Sequence, residues 1–206
     1  MMKFAPIALM VLSALVSCSA GGDSNVAVVR KAFRSYLADE AGVRPSVAKI
    51  NDIEPADTLS AEAVSSRLEN VRKLFAYTVA YAKGFNEEHS GRMEQNPDVM
   101  GLVNIAVGSL SSAGAQIDSL AGLAEKISFD GTAYGYEVDF TLDGTDGDTY
   151  TTHAYVGEDG SLKGIGRASD AASFAPGYAG FVSFEDEVVS NLARIKAIYS
   201  EIEKLL

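Results

Sequence analysis

The stretch Tyr134-Gly-Tyr-Glu-Val-Asp-Phe-Thr-Leu142 alternates large apolar residues with small or polar ones, position by position. A period of two marks a strand with one face buried and one wet. Leu142-Asp-Gly-Thr-Asp-Gly-Asp148 then reads as a turn, and Thr149–Gly157 as a second strand with Tyr150, Thr152, Ala154 and Val156 on one face. Asp159-Gly160 suits a tight hairpin turn, whose two central residues take positive φ. Leu162–Arg167 is a third strand. Pleat arithmetic places Tyr136, Val138 and Phe140 with Tyr150, Ala154 and Val156 on the face covered by helices. Glu137, Asp139, Thr151 and His153 share the wetter face. A slip of one residue would bury both carboxylates, at several kcal/mol each if unpaired.

Outside this meander the period is helical. Val26, Val29, Phe33, Tyr36 and Leu37 recur at helical steps from Asn25 to about Glu40, ahead of Gly42 and Pro45. Ser46–Asp57 is ambiguous; its β-branched residues and flanking prolines favour an extended segment. Ser60 is a good helix N-cap with Glu62 placed to meet the dipole. Behind it Val64, Leu68, Val71, Phe75, Thr78, Ala82 and Phe85 form one face, to about His89. Pro97 opens another helix, Asp98–Lys126, with a break near Ser111–Gly114 as the alternative. Its four glycines weaken it but let a neighbour approach, so the two helices read as a packed hairpin. After a small-residue loop, Arg167–Val182, a last helix starts at Ser183, with Asp186 at capping-box spacing. Phe184, Val188, Leu192, Ile195, Tyr199, Ile202 and Leu205 make its face. The fold class is α+β: a long helical hairpin plus N- and C-terminal helices packed on one face of a small antiparallel meander sheet. One domain, residues 25–206, accounts for it.

Composition narrows the function. With 206 residues and 47% hydrophobic content the chain can build a real core. Its 17 Lys+Arg against 28 Asp+Glu give a net charge of −11, the wrong sign for nucleic acid. One cysteine and two histidines leave little material for a metal centre and none for an internal disulfide.

Residues 1–18 read MMKFAPIALMVLSALVSC: one cation, Lys3, then an apolar stretch from Phe4 to Val16. That is short of the roughly 20 residues of a membrane span and has the form of a signal peptide. Leu15-Val16-Ser17-Cys18 resembles the lipobox of bacterial lipoproteins. The resemblance implies diacylglycerylation of Cys18, cleavage after Ser17 and acylation of the new amine. It divides the chain into a signal peptide, 1–17, and a lipidated flexible leash, 18–24, ahead of the domain. Removing residues 1–17 takes away Lys3 and no acid, leaving −12. An anionic bilayer would repel that charge, so the acyl chains would be the anchor. Ser19, where inner-membrane lipoproteins carry Asp, leans towards the outer membrane. Further on, Pro45-Ser-x-x-Lys49-Ile50-x-x-Ile53-Glu54, then Asp57-Thr-Leu-Ser60 before a long helix, resembles small uncharacterised lipoproteins of Bacteroides-type bacteria. That likeness implies a location and no chemistry.

Several constellations invite a chemical reading, each beside a plainer one. Asp143, Asp146 and Asp148 could offer oxygens to calcium, but lack the ligand spacing of an EF-hand and suit a turn. His153 with Glu137 and Asp139 could form a general-base arrangement; a solvated cross-strand group is commoner. His89 favours a helix C-terminal dipole. Ser46-Val-Ala-Lys49 matches S-x-x-K without that motif's partners, and Gly164-Ile-Gly166 lacks the third glycine of a dinucleotide loop. Tyr134, Tyr136, Phe140, Tyr150, Phe174, Tyr178 and Phe181 are core at strand spacing, or a ligand-lined cleft between sheet and loop. The favoured reading is a non-catalytic envelope lipoprotein, held to the bilayer through acylated Cys18. It binds a protein or small ligand, with no cofactor, metal or nucleic acid. The alternative is an envelope hydrolase using Glu137 and Asp139.

Overall fold

The computed structural model describes residues 22–144 and 147–206. The strands β1 (Ala48–Leu59), β2 (Ala133–Leu142), β3 (Thr149–Gly157) and β4 (Leu162–Gly166) form one antiparallel sheet in that order. The ambiguous segment after Ser46 is thus a strand, and it extends the three-stranded meander to four. It occupies an edge, as Pro55 requires, because proline has no N–H to give to a second neighbour. Register irregularities at Ile50/Asp52 and Pro55/Thr58 bend it along β2.

The pleat follows the expected register. Tyr136 stands opposite Ala154, Glu137 opposite His153, Asp139 opposite Thr151 and Phe140 opposite Tyr150. Val138 is fully buried, while Glu137 is exposed. Tyr150 departs from expectation at 38% exposure, since it lies at the turn end of β3 with Phe140 against its ring at 5.7 Å.

The helices are α1 (Gly22–Asp39), α2 (Ala61–Met93), α3 (Pro97–Ala124), the short α4 (Ala168–Ala171) and α5 (Tyr178–Leu205). Covering of the sheet is divided among them. On the Val138 face α1 buries Val29, Phe33 and Leu37 against Tyr136, Val138, Phe140, Ala154 and Val156. The Phe33 and Phe140 rings are 4.8 Å apart. Burying a ring such as Phe33 contributes about 1.5–3 kcal/mol. The hairpin α2–α3 packs with α5 into a second core, which Leu59, Ala133 and Tyr155 join from the sheet. The four long helices therefore do not share one face, because an amphipathic face of such length is satisfied by another helix.

Element ends differ from the sequence reading where small residues hide them. α1 covers Gly22–Asp39 among the described residues, so part of the stretch expected as leash is helical. Ser60 caps α2 as expected, its Oγ accepting from the Ala63 N–H at 3.0 Å. α2 runs past His89 to bury Met93. Asn96 caps α3, accepting from the Asp98 and Val99 N–H groups. α3 is unbroken through Ser111–Gly114, where a side chain at Gly114 would touch Phe75. By length and composition α3 could cross a membrane. Its face of Val99, Val103, Ala106, Ala113, Ile117 and Leu120 is buried in the bundle, while 22% of its most apolar window is buried and Ile105 and Val107 are exposed. α5 starts at Tyr178, not Ser183, because Pro176-Gly177 is the real break and Gly177 takes φ 88°.

Candidate functional site

The side of the sheet that α1 leaves free carries a set of polar groups. It has an inner, partly buried end at the bundle and an outer, wet end.

The inner end is built on Arg67 of α2. Its Nε donates to Glu185 Oε2 at 2.7 Å, and one terminal nitrogen lies 3.5 Å from Asp57 Oδ2. The Tyr178 hydroxyl donates to the same Asp57 oxygen at 3.3 Å. The cluster thus ties the end of β1 to α2 and α5. Glu185 is buried because the inward face of α5 runs Tyr178, Phe181, Glu185, Val188, Leu192, placing a carboxylate where an apolar residue normally stands. Tyr155 lies alongside on β3, its ring 5.5 Å from Phe174. Gly135 is required here, since a side chain would meet the Asp57 carbonyl at 2.5 Å and the Tyr155 ring at 2.8 Å.

Three groups of this cluster have pKa values shifted by their surroundings. Burial pulls against the Arg67 guanidinium, and the Glu185 hydrogen bond with the charges around it outweighs burial, so its pKa is raised. Burial, with Asp57 adding to it, pushes Tyr155 up to about 12. The same two causes raise Tyr178 further. Both phenols are therefore neutral, Tyr178 donating to Asp57, and the arginine's charge is committed to two carboxylates. The arrangement is a polar strut that ties β1 to α2 and α5.

The outer end carries the carboxylates singled out in the sequence. Glu137 is exposed, and Asp139 accepts from Thr151 Oγ1 at 2.6 Å. β1 adds Glu54 opposite Glu137 and Asp52 opposite Asp139, so like charges face each other across the strands. His153 is half-buried beside Glu137, and among the described residues neither carboxylate hydrogen-bonds it. This face is an open acidic strip, with no enclosure that would split its carboxylates into an acid and a base.

The remaining candidates are dispersed. Tyr134, Tyr136 and Phe140 lie with α1, with the exposed Tyr150 against Phe140, whereas Phe174, Tyr178 and Phe181 belong with the bundle. The sheet separates the two groups, so they line no common cleft. Asp143 and Asp148 are exposed, and Asp146 lies outside the described residues, as does Cys18. His89 Nδ1 sits 2.9 Å from Arg92, at the end of α2. Ser46 is in a single 3-10 turn (Pro45–Val47) and Lys49 is in β1, so they do not form a helical S-x-x-K. Gly164 has a packing role instead: a side chain there would run into the Ala171 carbonyl of α4.

Glu185 is the one residue of the strut with a legible signal, an acid in phase with an apolar face. Asp57 and Arg67 had none. Compared with known proteins, the chain matches no family model, no curated protein and no solved structure.

Proposed function

We propose that this is a lipid-anchored protein of the bacterial envelope whose folded body is a non-catalytic binding or interaction domain. The observation that carries the reading is Leu15-Val16-Ser17-Cys18: the chain's single cysteine closes an apolar stretch at the place a lipobox requires. One acyl chain holds a protein only marginally, so the two or three chains of a bacterial lipoprotein are the anchor. The inward-tied Arg67 cluster and the open carboxylates of β1 and β2 favour binding over catalysis. Ser19 favours the outer membrane.

The test is processing in a host with lipoprotein maturation. Wild type takes up labelled palmitate and fractionates with membranes, Cys18→Ser does neither, and globomycin makes the larger precursor accumulate. An unlabelled, soluble wild type whose size globomycin leaves unchanged would sink the reading.

A further inference from the structure

A groove of about 530 Å³ runs between α1 and the start of β1. Arg30 and Arg34 line it one helical turn apart, and Pro45, Ala48, Lys49 and Ile50 form its opposite wall, with Phe33 and Leu37 beneath. No carboxylate lines it. Among the described residues, neither arginine nor Lys49 has an ion-pair or hydrogen-bond partner from another side chain. The local charge reverses the chain's overall balance: residues 25–49 hold five cations, Arg30, Lys31, Arg34, Arg44 and Lys49, against Asp39 and Glu40 alone. In a chain with 28 acids, a cation-lined groove of small-molecule size calls for an anionic occupant.

We infer that this groove binds the phosphodiester headgroup of an anionic phospholipid. Guanidinium groups present paired N–H donors that match phosphate oxygens, and two of them stand on the same helix face. Pro45, Ala48 and Ile50 give the glycerol and upper acyl region an apolar wall. Position supports this occupant over a free anion and rests on the anchoring reading above. From Cys18 to Gly22 the chain spans at most about 14 Å, and α1 advances about 1.5 Å per residue. The groove is therefore within reach of the bilayer that would hold Cys18. The net charge opposes approach at long range, but at a Debye length of about 8 Å a headgroup already in the groove feels most strongly the arginines that line it. Occupancy would fix how the tethered body faces the membrane, leaving the acidic strip of β1 and β2 directed elsewhere on the molecule.

The experiment uses the full chain in detergent micelles doped with trace photoactivatable phosphatidylglycerol, with crosslinks mapped to peptides. The expected label falls within residues 30–50. It drops at least tenfold in Arg30→Glu/Arg34→Glu, is largely kept in Arg30→Lys/Arg34→Lys, and survives excess phosphatidylcholine. Both arginines are exposed, so circular dichroism should show both variants folded. Label spread along the chain, label unchanged by charge reversal, or equal competition by phosphatidylcholine would overturn the inference. Displacement by millimolar inorganic phosphate would overturn it in favour of a free-phosphate site. A Cys18→Ser chain separates the two readings: its groove label persists if the inference holds, whatever palmitate labelling says of the anchor.

Discussion

Arg67 shows how one charged residue can join two layers. Its partners come from β1 and α5, so the strut resists sliding of the sheet against the bundle, and Tyr155 and Tyr178 roof it as neutral phenols. That neutrality has a pH signature. Below about pH 10 the two tyrosines are protonated in both folded and unfolded chains, and their contribution is complete. Between pH 10 and 12 the unfolded chain ionises while burial keeps Tyr155 protonated, so stability falls as pH rises. Urea denaturation from pH 8 to 12 should show this decline, and Tyr155→Phe should flatten part of it. A decline of equal slope in both proteins would contradict the burial. A second test at this scale is Gly164, where an alanine must displace the Ala171 backbone. Gly164→Ala should cost about 1–3 kcal/mol in equilibrium unfolding, as overpacking does.

At the scale of elements, periodicity carried most of the fold. The steps from Val64 to Phe85 and the alternation from Tyr134 to Leu142 each have one physical solution, and both elements formed. What stayed hidden was set by partners far along the chain. Pairing of β1 with β2 joins residues near 50 to residues near 140, and nothing local announces it. The start of α5 was hidden because Ala179 and Gly180 dilute the helical face between Tyr178 and Phe181. Two predictions belong to these elements. Gly108 faces open space on α3, so Gly108→Ala should stabilise the protein by up to about 1 kcal/mol. The Glu54–Glu137 pair across β1 and β2 sets like charges opposite each other. Glu54→Thr should therefore stabilise by about 0.2–1 kcal/mol, with the gain shrinking as salt is added. A destabilised Glu54→Thr protein would mean that the strip holds partners of opposite charge.

On the scale of the whole molecule there are two cores, one under α1 on one face of the sheet and one in the α2–α3–α5 bundle. The strut ties the bundle to the end of β1. The carboxylates read from the sequence lie on the open face as the pleat requires. The Arg67 cluster was hard to read because its bonded partners are separated by up to 121 positions, Asp57 from Tyr178. The grooves beside α1 were equally unforeseeable, since an i, i+4 arginine pair on a helix normally faces solvent alone. We propose that this body binds a partner and that acylated Cys18 holds it to a membrane. Intact-mass spectrometry of the protein purified from membranes of a lipoprotein-processing host is the direct test of that anchor. The account expects a chain beginning at Cys18, heavier than the polypeptide by a diacylglyceryl group and, with full maturation, a further acyl chain. A mass matching an unmodified polypeptide, with or without residues 1–17, would contradict it.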